Sequence, residues 1–208
     1  MSPKNSGAEE EGSKIDNILN AAQKRFGQYG LCKTTMTEIS TDIGLSKAAL
    51  YYYYPDKESL FEAVVEKEQN EFVEEIKKIL KPTSKVNALF TMYLKKRRVY
   101  FDSFMNLSKL RYDSLMSPKP LLAKLSENLT NKERELVRAI IDIGISNKEF
   151  KKVNSQDYAD FLILLLQGLR FIALKKQSGL IMSDEERDKL NENIKRTTNL
   201  FIRDISIS

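Results

Sequence analysis

Apolar positions recur at intervals of three and four residues along almost the whole chain, which is the period of an amphipathic helix. Ile15, Ile18, Leu19, Ala22 and Phe26 form the first such stripe, predicting a helix from about Lys14 to Tyr29 that Gly30 ends. Thr35 and Glu38 in "TMTE" form a capping box for a short helix through Ile43, and Gly44 stops it in a tight turn. Ser46 caps a third helix ending at Tyr54, because Pro55 disfavours helical geometry at the residue before it. Asp56 caps a fourth, long helix reaching Leu80, ahead of Pro82.

Further along, Ser84 starts an aromatic-rich helix, "KVNALFTMYLKKRRVYFDSF", and a shorter one follows to Met116, broken by "SPKP". "TNKE", Thr130 to Glu133, reads as another capping box opening a helix to about Asn147. Ser155 caps the most hydrophobic helix, to roughly Gln177 with Gly179 after it, and "SDEE" from Ser183 opens the last. No strand alternation, hairpin signal or internal repeat appears. The fold class expected is all-α, with about nine helices.

The order from Lys33 to Leu60 is short helix, glycine turn, short helix, proline and a fresh cap, the sequence form of a helix-turn-helix. An ordinary helical corner has the same turn pattern, so the faces must decide. Within "SKAALYYYYPDKESL", Leu50 and Tyr54 share one side at i, i+4 and are expected to pack inward with Ile39, Ile43 and Leu45. Ala48 and Tyr52 then lie on the opposite face, flanked by Ala49 and Tyr51, with Lys47 and Tyr53 at its borders. Small residues let a helix approach base edges, and phenol hydroxyls donate to phosphate oxygens. The amide groups after Thr35 and Ser46 make anion sites, with Lys33 just before the first. Lys57 is a poor match for the positive start of the fourth helix, and a phosphate partner explains it.

Composition narrows the chemistry. The 208 residues include no histidine and one cysteine, Cys32. Imidazole acid–base catalysis, Ser-His triads, His-based metal sites and an internal disulfide are therefore all excluded, and a reducing, cytoplasmic home is expected. No enzyme and no cofactor is expected. The most apolar run, Tyr158 to Leu174, contains Asp160 and Arg170 and falls short of the ~20 residues that span a bilayer, so no membrane partner is expected. The net charge of +5 adds little about nucleic acid. From Lys14 to Leu60 the bases Lys14, Lys24, Arg25, Lys33, Lys47 and Lys57 are nearly balanced by Asp16, Glu38, Asp42, Asp56 and Glu58.

Over Ile18 to Phe61, "ILNAAQKRFGQYGLCKTTMTEISTDIGLSKAALYYYYPDKESLF", the chain resembles the TetR family of transcriptional regulators. The run G-L-S-K-x-x-L-Y-x-Y-Y-P-x-K-E-x-L carries that resemblance. It implies DNA contacts from Thr35, Ser46, Lys47, Ala48, Ala49, Tyr51, Tyr52, Tyr53 and Lys57. Ala48 and Ala49 stand where the family often has Gly and Thr, Tyr53 where His is frequent, and Ile43 where a small residue is usual. With no Arg, Asn or Gln on the reading helix, specificity is expected to lean on Lys47, thymine-methyl contacts and DNA shape.

The domains expected are a disordered tail over 1–13, a DNA-binding domain over 14–60 and an effector-binding and dimerisation domain over 61–208. "AIIDIGISNKEFK" and "LLLQGLRFIAL" are similar to the end of the seventh helix and to the eighth helix of TetR-like proteins, whose last two helices pair with their copies as a four-helix homodimer interface. Leu190, Ile194, Phe201, Ile202 and Ile205 form one side of the last helix, and Leu166 and Arg170 lie on the helix before it. A wholly intramolecular core would use the same residues. The resemblance also implies a pocket for an unidentified small-molecule effector among Phe90, Tyr93, Arg97, Tyr100, Phe104, Tyr112, Phe161 and Leu165, although such a stripe also reads as plain core. The function expected is a ligand-responsive repressor that binds a near-palindromic double-stranded DNA operator as a dimer. A regulator without a ligand and a helical protein–protein adaptor remain alternatives.

Overall fold

The computed structural model describes residues 6–103, 119–175 and 182–207. Among them are eight helices: α1 Ser6–Lys33, α2 Met36–Asp42, α3 Lys47–Tyr53, α4 Lys57–Lys77, α5 Val86–Ser103, α6 Lys119–Ser146, α7 Ser155–Lys175 and α8 Asp184–Ile205. The all-α expectation holds: no strand is present among these residues, only an isolated antiparallel bridge between Phe150 and Ser206. None of the described helices is long and apolar enough to cross a membrane. The chain divides into two compact units, one drawn from Met1–Asn70 and Ser103–Ser126 and the other from Glu71–Asp102 and Glu127–Ser208.

In the first unit the α1 stripe read from sequence is the core. Ile18, Leu19, Ala22 and Phe26 are buried with Ile39, Leu50, Leu60, Phe61, Val64 and Val65, and Phe26 meets Phe61 edge-on at 5.0 Å. Gly30 breaks α1 as expected: its φ of 79° lies in the left-handed region that favours glycine. The buried Thr34 hydroxyl donates to the Gly30 carbonyl at 2.8 Å and so ties down the break. The other end departs from expectation. α1 begins at Ser6, so residues 6–13 are helical and not the disordered tail expected there. The acids Glu10 and Glu11 favour a helix near its start, where carboxylates meet the positive end of the dipole.

In the second unit α7 and α8 pack against each other, with Leu162, Ile163, Leu166, Ile194, Phe201, Ile202 and Ile205 all buried. Phe201 lies against Phe90 and Tyr158, at 6.2 and 5.8 Å between ring centroids. The "TNKE" capping box is not one. α6 runs unbroken through Thr130, because both signature side chains are taken by tertiary partners. Gln167 donates to the Thr130 hydroxyl at 2.6 Å, and the buried Glu133 carboxylate accepts from Tyr93 and Arg97. The start of α7 is also shifted by one residue: Asn154, not Ser155, caps it, accepting from the Gln156 amide at 3.1 Å.

Gly144 marks a close approach in the same unit. A Cβ there would lie 2.5 Å from the Phe150 ring and 2.8 Å from Val86, both buried. Phe150 has little room to yield, because the bridge to Ser206 fixes its backbone. Gly144→Ala is expected to cost roughly 1–3 kcal/mol by overpacking. Urea unfolding measures this, and an unchanged midpoint would contradict the packing described.

Candidate nucleic-acid interface

The reading head is set by local chemistry. Thr35 and Glu38 form the capping box of α2: the Glu38 amide donates to Thr35 Oγ1 at 3.2 Å, and the Thr35 amide donates to Glu38 Oε2 at 2.9 Å. At the other end Gly44, at φ 67°, makes the turn. The Leu45 amide donates to the Ser40 carbonyl at 2.9 Å and the Gly44 amide to Thr41 at 3.2 Å, the pair of bonds that defines a Schellman stop. Ser46 then caps α3, accepting from the Ala49 amide at 3.1 Å. Past α3, Asp56 accepts from the Ser59 amide at 2.6 Å and starts α4. Two seven-residue helices are thus joined by the short turn 43–46.

α3 is pinned by one side chain. Leu50 is 0% exposed and is the buried residue of this helix. With the inward side fixed there, Lys47, Ala48, Tyr51 and Tyr52 are exposed, Tyr52 by 81% and Tyr51 by 40%. The Lys47 ammonium lies 5.8 Å from the centre of the Tyr51 ring, so the two form one cationic, phenolic patch. Ser46, Thr35 and Lys33 are also exposed, while Ala49 and Lys57 are half-buried.

Two tyrosines differ from their expected places. Tyr53 packs partly against the core beside Tyr54 and meets Tyr52 edge-on at 5.4 Å, so less of it is offered outward than expected. Tyr54, expected as core, is only half-buried, although partial burial already pushes its phenol above the ordinary value, with Asp16 adding to the push. Thr35 is exposed, but its hydroxyl donates to Glu38 Oε2 at 2.7 Å, so a phosphate reaching Thr35 must displace that carboxylate.

Sequence reasoning missed Arg25. From α1 it grips Asp42 of α2 with two parallel hydrogen bonds, Nε at 2.6 Å and Nη2 at 2.7 Å, and its Nη1 lies 3.6 Å from Glu38. The Arg25 hydrogen bonds hold the Asp42 carboxyl below its usual range, and the Thr35 hydroxyl and amide do the same for Glu38. A signal was present: Arg25 lies one turn from Ala21 and Tyr29 beside the apolar stripe, and α2 carries two acids and no base.

Comparison with known proteins falls on the same segment. The family model for bacterial regulatory proteins of the tetR family matches residues 18–64. A solved transcriptional regulator from Cytophaga hutchinsonii is 46% identical, covering 93% of this chain and 99% of that one, with a TM-score of 0.82. The chain belongs to the TetR family of transcriptional regulators. This TetR-family chain is also similar to the negative transcriptional regulator IcaR of the Staphylococcus epidermidis biofilm operon icaADBC, at 23% identity over 90% of this chain and 98% of IcaR. The Escherichia coli regulator RutR is 42% identical over 53 residues, 26% of this chain and 25% of RutR. Each of these relatives is named a transcriptional regulator, and residues 18–64, which the family model matches, include α2 and α3.

The second unit of this TetR-family regulator places the remaining expected residues unevenly. Phe90, Tyr93, Arg97 and Tyr100 are buried, Leu165 is half-buried, and Phe161 is exposed. Phe104 and Tyr112 lie outside the described residues. Arg97, 3% exposed, donates through Nε to Glu133 at 2.6 Å, while Tyr93 donates to the same oxygen at 2.8 Å. Among the described residues Arg97 Nη2 finds no hydrogen-bond partner. Of the expected interface residues, Leu166, Ile194, Phe201, Ile202 and Ile205 are buried within the chain's own second unit. Leu190 is half-buried, and Arg170 lies over the Phe101 ring at 3.8 Å.

Proposed function

We propose that this regulator is a homodimeric repressor that places α3 of each copy in the major groove of a near-palindromic operator and is released by a small molecule bound in its second unit. The exposed Lys47, Ala48, Tyr51 and Tyr52 face, with Leu50 pinned behind it, carries the reading. Residues 14–60 act as the DNA-binding domain and 61–208 as the effector and dimerisation domain, working in the cytoplasm. Lys33, Thr35, Ser46 and Lys57 contribute phosphate contacts at the rim, and Ala48 and Ala49 offer thymine-methyl contacts. The name of IcaR, a negative regulator, supports repression over activation.

A second copy supplies the symmetry that a palindrome needs. Support comes from α7, where Phe161, Leu164, Phe171 and Ile172 lie exposed along one side, Leu164 by 65%, and a Cβ on Gly168 between them would meet nothing within 4 Å. Sedimentation of purified protein reports on this pairing, and a single monomer boundary at micromolar concentration contradicts it. Effector release is supported by Arg97 Nη2, a buried donor that an acidic group on the effector would satisfy. The ligand acts by binding more tightly to a conformer whose reading heads no longer match the operator. A footprint that persists undiminished in cell extract contradicts this release.

The DNA assignment is tested by anisotropy on a duplex recovered by selection, across roughly 50 to 200 mM salt. Lys47→Ala is expected to weaken binding and flatten the logarithmic salt slope by about one, because one phosphate contact is lost. Tyr51→Phe is expected to weaken binding on all sequences alike, since the hydroxyl meets phosphate and not a base. An unaltered salt slope in the lysine variant would remove Lys47 from the interface.

A further inference from the structure

Two acids and no base occupy α2, the helix that precedes the reading helix, although the partner proposed for this surface is a polyanion. Glu38 sits in its first turn with its carboxylate on the Thr35 amide and hydroxyl, and Asp42 closes its last turn. Both carboxyl groups are held below their ordinary range, so both carry charge near neutral pH. Arg25 answers both at once from α1. Its bidentate grip on Asp42 fixes the geometry, Nη1 faces Glu38 at 3.6 Å, and the Tyr29 ring backs the guanidinium at 5.6 Å.

We propose that Arg25 is a positioning residue for DNA binding that acts through Glu38 and Asp42: it cancels the two carboxylates that would otherwise repel the phosphate backbone. The proposal rests on the reading that α3 docks on DNA. Lysine at this position would keep the charge but lose the planar fork that spans Asp42 and reaches Glu38. The Glu38 carboxylate lies 2.7 Å from the Thr35 hydroxyl, a proposed phosphate contact and well inside the Debye length of ~8 Å at physiological salt, so its repulsion there is poorly screened.

The experiment measures anisotropy on a random-sequence duplex, because phosphate repulsion does not depend on sequence. Arg25→Gln is expected to bind about tenfold more weakly at low salt, with the deficit shrinking as salt rises. The triple variant Arg25→Gln, Glu38→Gln, Asp42→Asn is expected to recover to within about twofold of the unaltered chain, although it retains no ion pair at this site. A mere structural brace would not be repaired by removing its partners. Arg25→Lys guards against a folding artefact and is expected to bind more tightly than the glutamine variant. Full-strength binding by Arg25→Gln, a triple variant as weak as the single one, or a lysine variant as weak as the glutamine one overturns the proposal. Failure of the unaltered chain to bind any duplex is a separate result, and it overturns the docking of α3 itself.

Discussion

Glu133→Ala is expected to destabilise the chain by about 3–5 kcal/mol, because it strands the Arg97 charge in the interior. Glu133 Oε1 is shared by Tyr93 and Arg97, and all three residues are buried. Burial pushes the Tyr93 phenol well above its ordinary value, and the Glu133 carboxylate adds to the push, so the phenol stays protonated and donates. Burial works against the Arg97 charge, but Glu133 and Tyr93 together outweigh it and hold the guanidinium above its ordinary value. Removing the carboxylate leaves both donors facing an apolar interior. Replacing both partners, Arg97→Leu with Glu133→Leu, is expected to cost much less than Glu133→Ala, because no charge is then stranded. Urea unfolding of the two variants gives the comparison. A Glu133→Ala cost below about 1 kcal/mol would show that water or relaxation reaches this pair and that it is not the buried pair described.

Leu50→Ala is expected to release the reading helix, at a cost of about 2–5 kcal/mol. α3 has seven residues, too few to hold together by its own hydrogen bonds, so tertiary packing must supply its stability. That packing is concentrated in one fully buried side chain, which joins Ile39, Phe26 and Leu60 in the first unit's core. Truncating it leaves a cavity and removes the constraint that turns Lys47, Ala48, Tyr51 and Tyr52 outward. Amide exchange within α3 is the measurement, since each 1.4 kcal/mol of lost stability accelerates opening about tenfold. DNA affinity should fall with it even though no contacting residue is altered. Native exchange rates in this variant would mean that Leu50 does not pin the helix.

Legibility of the fold depended on how local each determinant was. Gly44, Ser46 and the Thr35–Glu38 box act on residues within four positions of themselves, so the turn and both short helices could be read directly. "TNKE" has the same local form and misled, because Gln167, Tyr93 and Arg97 claim its side chains from distant parts of the chain. The apolar side of α8 was equally visible as a stripe. Periodicity tells which face is covered but not whether the cover is α7 of the same chain or a second copy. Phe201 and Ile202 are buried within the chain, and on α7 it is Leu164 and its neighbours that stay exposed. At the reading head, four consecutive tyrosines told that some ring must face outward, and Tyr51 and Tyr52 do. The grip of Arg25 on Asp42 spans 17 positions, and a base beside the α1 stripe and two acids on α2 do not reveal that they pair until the fold brings them together.

Selection from a randomised duplex pool at low ionic strength, followed by footprinting of the enriched sequence, tests the docking of α3 most directly. Docking of α3 in the groove predicts enrichment of a near-palindrome whose two protected half-sites lie about one DNA turn, ~34 Å, apart. It also predicts that Lys47→Ala reduces retention across the whole pool. Purified, folded protein that retains no duplex from such a pool would contradict it.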